Sequence, residues 1–362
     1  MKPCTRVGLD VTWRCNWRCT HCFYADRRNP NHTRGEDVPL SEVLAKLDRA
    51  HEAGLDHAVL VGYGEPTLCG NLAAIQAACA ERDMAMSIIT NGATGLDRFK
   101  RLYADGLDHV HLSGHGIGDT LDAIAQVGGA YERQQELRVW LADNDLPYRS
   151  NVTMQRGNYT QLRAIATNEF AYGVRHFVLL GFLPHYEWAR GAGTRIRALA
   201  VHPARLRPHI ESAAQLLLEE GISFTIRYHP FCHLDPALWP HVTNARYVFF
   251  DPWEWNYELT LDRAELWTAA VRCGDAAAKG GARDYTAPCK RCAALRHCGG
   301  WNRRYAEAFG GAGLRAIRRE DVPAAYETVW DTDGGVFDLN PANRMTGTLR
   351  AARPGTQPER EP

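Results

Sequence analysis

The chain carries no excess charge, because 42 lysines and arginines balance 42 aspartates and glutamates over 362 residues. Without a net positive field there is no counterion-release term to hold a nucleic-acid backbone, so polyanions are not expected as partners. Long apolar runs are missing as well. Nothing in the sequence approaches the roughly 20 apolar residues that cross a bilayer, and no membrane segment is expected. The opening MKPCTRVGLDVTWRC has neither the apolar core of a secretory signal nor a transit-peptide pattern, so the expected location is the cytoplasm.

Cysteine, by contrast, is plentiful: there are eleven, most of them in two tight groups. In a reducing compartment such groups serve metal binding better than disulfide formation.

From Arg6 to about Tyr228, short β-branched runs alternate with longer amphipathic stretches, the signature of βα units around a parallel sheet. The runs Val7–Thr12, Ala58–Val61, Ala85–Ile89, His109–Leu112, Tyr148–Met154 and His176–Leu180 give six expected strands. A helix opened by Pro39, Leu40 and Ser41 and closed by Gly54 is expected, with others near 71–82, 96–104, 119–142, 160–172 and 203–219 and a further strand at Ile222–Tyr228. Six parallel strands with crossover helices suit an incomplete barrel or a doubly wound sheet, and either puts its chemistry at the carboxyl ends of the strands. After residue 228 the βα rhythm stops, which divides the chain into 1–228, 229–320 and an extension, 321–362. From about Pro341 the composition cannot repay the entropy of ordering, and disorder is expected there.

Cys15, Cys19 and Cys22 form C-x3-C-x2-C directly after the first strand. A cubane iron–sulfur cluster normally takes four cysteines, so three leave one iron open to a ligand. A zinc site completed by His21 or a distant residue is the alternative reading. In the second group, Cys289, Cys292 and Cys298 read C-x2-C-x5-C with Cys273 upstream, a spacing that zinc and iron–sulfur clusters share. Cys4, Cys69 and Cys79 show no ligand spacing.

The first triad, in this position, resembles the radical S-adenosylmethionine (radical SAM) superfamily. The segment Val61-Gly62-Tyr63-Gly64-Glu65-Pro66 is similar to that family's Gly-Gly-Glu-Pro loop, with Tyr63 where a small residue is usual. The resemblance implies a partial (β/α)6 TIM-like barrel carrying a [4Fe-4S] cluster and S-adenosylmethionine. It further implies that Gly62, Gly64 and Glu65 meet the methionyl ammonium, and that Thr90, Asn91, Ser113 and Asn151 contact its carboxylate and ribose. Gly181 would lie near the adenine, with His21 beside the ring. The implied activity is reductive cleavage of the cofactor to a 5'-deoxyadenosyl radical that removes a substrate hydrogen atom. An electron donor such as flavodoxin or ferredoxin is the implied partner.

The second group is similar to the SPASM auxiliary-cluster domain, although Asn302 stands where another cysteine would follow. With the ligands available, one auxiliary [4Fe-4S] cluster is expected, on Cys273, Cys289, Cys292 and Cys298, with Cys232 as a possible substitute for Cys273. Oxidation of, or bond formation on, a natural-product precursor follows, either a ribosomal peptide or a small polar metabolite such as an aminosugar. A non-catalytic zinc-binding interaction protein and an iron–sulfur electron carrier are the rival readings. The aromatic segments 182–188, 227–233 and 247–257 are candidates for substrate contact or for interdomain packing.

Overall fold

The computed structural model describes residues 6–22, 35–61, 64–182 and 193–243. Beyond these it describes 283–284, 288–294, 298, 301–302, 305, 308–310 and 313–322. Eight strands run in chain order β1 to β8, each hydrogen-bonded in parallel to the next, as a curled half-barrel. They are β1 (Arg6–Asp10), β2 (His57–Val61), β3 (Ala85–Thr90), β4 (His109–Leu112), β5 (Tyr148–Met154), β6 (His176–Gly181), β7 (Ser223–Arg227) and β8 (Val242–Thr243). The crossover helices are α1 (Leu40–Glu52), α2 (Leu72–Glu81), α3 (Leu96–Ala104), α4 (Asp119–Ala125), α5 (Ala130–Asp143), α6 (Leu162–Ala171), α7 (Gly193–Leu199) and α8 (Pro203–Glu219).

The partial TIM-like barrel is thus observed, with eight strands in one sheet where six, followed by a further strand at 222–228, were expected. The seventh is the run at 222–228, which pairs with β6 from His176↔Ser223 to Leu180↔Arg227. The eighth has two residues, too few for any periodicity to announce it.

A second departure concerns 119–142, expected as one helix. Gln126 adopts a left-handed conformation (φ 56°) and Gly129 follows at φ 70°. The Asp122 carboxylate accepts from the backbone N–H groups of Gly129 (2.6 Å) and Tyr131 (3.0 Å), so the chain breaks into α4 and α5 with the second start capped from outside.

Alternation along the strands sorts the two faces. Val7 and Leu9, Ala58 and Leu60, Met86 and Ile88, and Val110 and Leu112 join one apolar cluster with Leu47, Ile75, Phe99 and Leu137 of the helices. Val152, Phe177, Leu179, Phe224 and Ile226 join a second with Ile165, Ile210 and Leu217. Leu238, Trp239, Ala294, Cys298, Tyr305, Ile317 and Val322 extend this second cluster, so the segments after β7 pack on the same core. The intervening strand positions form a buried polar lining that includes His57, Ser87, His109, His111, Arg149, Asn151, His176, Thr225 and Arg227. Such an interior suits a polar ligand.

Candidate active site

The loop after β1 carries Cys15, Cys19 and Cys22, and the fold grips it on both sides. On one side the backbone N–H of Glu65 donates to Arg14 O (2.7 Å), and Asn91 Nδ2 donates to Asn16 Oδ1 (2.7 Å). On the other, Arg18 N donates to Ala125 O and Thr20 N to Ile124 O, both at 2.9 Å. Asp37, just before α1, ties the loop's start to the β2 side. Its carboxylate receives Thr12 Oγ1 (2.7 Å), Arg14 Nη2 (2.5 Å) and Gly70 N (2.8 Å).

Burial pushes the Cys15 thiol up to about 12 and the Cys19 thiol up as well, and negative charge on neighbouring cysteines adds to both shifts. Thiols so placed stay protonated unless a metal claims them as thiolates. Sulfurs on one tetrahedral zinc stand about 3.8 Å apart, given Zn–S bonds near 2.3 Å. Among the described residues, Cys15, Cys19 and Cys22 do not gather within 4.8 Å of one another, nor with His21. Trp17, within the loop, packs with Ala93, Leu121, Ala125 and Ala130, and its buried indole N–H has no partner among the described residues.

At the ends of β2 and β3, Glu65 is the centre of a hydrogen-bonded knot. Its Oε1 accepts from Thr67 N (3.1 Å), Thr67 Oγ1 (2.5 Å) and Thr90 Oγ1 (2.7 Å), and its Oε2 from Asn91 N (2.7 Å). Burial raises the Glu65 carboxyl above the ordinary carboxylate range, while these donors pull against that shift. Glu65, Thr90 and Asn91, all predicted as cofactor contacts, are therefore heavily engaged with one another. Gly64 must be glycine for close approach, since a Cβ there would stand 2.1 Å from Arg14 O.

Ser113, at the end of β4, is half-buried, and its hydroxyl has no hydrogen bond among the described residues, which leaves it available to a ligand. Asn151 accepts from Arg149 Nε at 2.8 Å on the interior face of β5. His21 meets Gln155 Nε2 through Nδ1 (2.9 Å) and sets its ring edge-on to His115, centroids 4.5 Å apart. Burial, aided by His21, holds His115 neutral, and its Nδ1 accepts from Thr153 N–H (3.2 Å). Gly181, at the end of β6, lies so close to β7 that a Cβ would meet Tyr228 O at 2.8 Å. Gly62 and Cys273 lie outside the described residues, as do 183–192 and 244–257.

Sequence reasoning did not single out Asn16, Asp37, Gln134 and Gln155. Gln134 on α5 donates to the carbonyls of both Asn91 (2.8 Å) and Ser113 (2.9 Å). Arg138 holds Gln134 Oε1 (2.9 Å) and is itself paired with fully buried Glu169 at 2.7 Å. The available signal was polar residues at i and i+4 of a helix that has to face a sheet.

The second cysteine group forms a separate site. Cys232, Cys289, Cys292 and Cys298 line one small pocket together with Leu314, Arg315 and Ile317. Burial pushes the Cys232 thiol up to about 12, and the other three cysteines raise it further. Ile317 N points at Cys292 Sγ (3.4 Å), and Arg315 Nε donates to Cys232 O (3.3 Å). Four sulfurs and a nearby guanidinium suit a thiolate-ligated, negatively charged group.

Residues 10–158 match the family model described as the radical SAM superfamily. The chain carries a radical SAM domain. The cofactors of that domain are a [4Fe-4S] cluster and S-adenosylmethionine, and the cysteine loop at the strand ends fits the first of them. Over 189 residues the chain is 32% identical to a PqqA peptide cyclase of Methylocella silvestris, an alignment covering 50% of this chain and 48% of that protein. Over 129 residues it is 34% identical to "Probable GTP 3',8-cyclase" of Halobacterium salinarum, covering 35% and 36% of the two chains. The chain thus spans about half the length, or less, of these curated relatives. The crystal structure of Streptococcus suis SuiB shares its fold, with a TM-score of 0.50 at 17% identity over 62% of this chain and 49% of that one. Among the described residues, no helix is long and apolar enough to cross a membrane.

Proposed function

We propose that this radical SAM protein is an enzyme that oxidises or cross-links a peptide precursor, using one auxiliary cluster besides the cluster of its barrel. The observation that carries the reading is the pairing of two cysteine sites of different valence. A three-cysteine loop lies at the carboxyl ends of the parallel strands, and a four-cysteine cavity is packed on the same core. Three protein ligands leave room for a cofactor on the metal, whereas four close the coordination shell.

Cys15, Cys19 and Cys22 would hold the first cluster, with Ser113, Asn151 and His21 as candidate contacts for a bound S-adenosylmethionine. When bound and reduced, this pair supplies a 5'-deoxyadenosyl radical able to take a hydrogen atom from an unactivated carbon. The chain's own part is to exclude water from the half-barrel and hold the substrate carbon against the mouth. The Glu65 knot and the Gln134 bridge keep the loops of β2, β3 and β4 in place for that task.

Cys232, Cys289, Cys292 and Cys298 would hold the auxiliary cluster, with Cys232 in the place first assigned to Cys273. In the net reaction the peptide loses two hydrogens: one as a hydrogen atom, the other as a proton plus an electron. A fully ligated cluster is suited to receive that electron rather than to bind substrate. The peptide assignment is supported by the name of the curated cyclase relatives, and a low-potential donor of the flavodoxin or ferredoxin type, in the cytoplasm, would supply the first electron. The division into 1–228, 229–320 and 321–362 completes the proposal, with the sheet of the barrel continuing past residue 228 as far as β8.

The test is anaerobic reconstitution with iron and sulfide, followed by dithionite, S-adenosylmethionine and the short peptide encoded nearest the gene. The expected result is 5'-deoxyadenosine together with a peptide lighter by two hydrogens. Cys19→Ala should abolish cofactor cleavage, while Cys292→Ala should retain part of it and yield no altered peptide. Equal, complete loss of cleavage in both variants would refute the division of labour. Colourless protein with stoichiometric zinc would refute the reading altogether.

A further inference from the structure

At the other end of the barrel, away from both cysteine sites, the buried lining brings together a set of groups that the proposed chemistry does not use. His57 is the first residue of β2, His109 the first of β4, and Asp108 immediately precedes it. One ligand atom from each of the three lies within 4.8 Å of those of the other two. His109 Nδ1 and Asp108 Oδ2 are 2.8 Å apart. Both imidazoles have their Nε2 engaged in the interior, His57 with Ser87 Oγ (2.9 Å) and His109 with His111 Nε2 (2.9 Å). For His109 this leaves Nδ1, beside Asp108, to an ion, and ligating histidines commonly have the other ring nitrogen bonded to a neighbour that fixes ring and tautomer.

From this geometry we infer a divalent transition-metal site, suited to Zn2+, on His57, Asp108 and His109 at the amino-terminal base of the half-barrel. Two imidazoles and a carboxylate form a ligand set that zinc accepts at bonds of about 2.0–2.2 Å. Asp108, with 15% of its side chain exposed, sits at the rim and gives an entry path from solvent, while His109 is only 2% exposed. Three protein ligands leave the fourth position to water. Burial keeps His57 and His109 neutral, the state in which imidazole ligates, and the Arg6 charge acts in the same direction on both. Arg149 faces His109 and His111 from β5. These two guanidiniums oppose a cation, so a micromolar rather than a nanomolar site is expected. At the end of the barrel opposite the strand carboxyl termini, the ion would brace β2 against β4 instead of taking part in the chemistry. The inference does not depend on the radical reading.

The experiment is calorimetric titration of Zn2+ into the reconstituted holoenzyme, with zinc-edge X-ray absorption on the loaded protein. The expected result is one site of micromolar affinity whose shell contains only nitrogen and oxygen near 2.0 Å. Asp108→Asn should weaken binding at least 100-fold. Ser87→Ala, which leaves all three ligands in place, should weaken it about 10-fold. A sulfur shell near 2.3 Å would put the zinc at the cysteines and overturn the inference. Absence of binding at millimolar zinc, or equal affinity in wild type and Ser87→Ala, would overturn it too.

Discussion

The sharpest consequence of the site geometry concerns Gly64→Ala. A Cβ at this position would stand 2.1 Å from Arg14 O and 2.8 Å from Arg14 C, both backbone atoms that cannot rotate away. Real Cβ contacts essentially never fall below 3.0 Å, so the β2 loop and the cysteine loop must part by about 1 Å. The Glu65 N–H···O Arg14 bond, 2.7 Å long, would then stretch beyond hydrogen-bond range. Overpacking of this kind costs about 1–3 kcal/mol, and the lost bond about 0.5–1.5 kcal/mol. A loss of roughly 2–4 kcal/mol of unfolding free energy is therefore expected, read as a lowered urea midpoint. Arg14 precedes Cys15, so the same displacement reaches the first thiolate, and metal sites accept ligand errors of only about 0.2 Å. Reconstituted Gly64→Ala should therefore carry less iron in the barrel site and cleave S-adenosylmethionine poorly. Gly157→Ala is the matched control, because its Cβ would meet Ile124 at an ordinary 3.5 Å. Iron content and an unfolding midpoint indistinguishable from wild type in Gly64→Ala would refute the reasoning.

Cys232→Ala should remove about one cluster's worth of iron per chain while leaving cofactor cleavage measurable, whereas Cys273→Ala should keep both clusters; iron and sulfide analysis decides. Arg138→Met should cost about 3–5 kcal/mol by leaving Glu169 buried and unpaired, and the double variant with Glu169→Met should cost less, as read by urea unfolding. His241, stacked on Phe224 at 4.0 Å, is pushed down to about 4 by burial from its ordinary 6.5. It stays neutral in the fold over a range where the unfolded chain binds a proton. Stability should therefore fall as pH drops from about 6.5 toward 4, by up to about 3 kcal/mol, and His241→Phe should flatten that slope.

The barrel was legible because its strands and helices obey simple periods. Val7 to Asp10 alternate, and α8 falls on Pro203–Glu219 just where the expected 203–219 helix lies. What escaped had no period to show. Two residues make β8, and the break between α4 and α5 depends on Asp122 reaching across Gly128 and Gly129 to cap a helix that begins eight positions later. The three thiols could be read from spacing alone. The neighbours that hold them could not, since Asn16, Gln134 and Gln155 are single amides whose partners are distant in sequence. Cys232 shows the same limit. It is separated from Cys289 by 56 residues, and only the packing of the segment after β7 on the second apolar cluster brings it to the cavity.

The attachments of the cysteine loop also say how its three ligands differ. Arg14 and Asn16 flank Cys15 and are both held from the β2 and β3 side, through Glu65 and Asn91, so this thiolate moves with the Glu65 knot. Arg18, Thr20 and His21 surround Cys19 and lead to Cys22, and they are held from the opposite side, by Ala125, Ile124 and Gln155. The loop is therefore slung across the mouth of the half-barrel between two sets of anchors that share no residue. A cluster bound there ties the β2–β3 side to the α4–β5 side, two faces also joined by the sheet and by Gln134, which donates to the Asn91 and Ser113 carbonyls. Binding energy for the metal is then also closure energy for the mouth, and a variant that loosens either anchor set should lose iron before it loses the barrel.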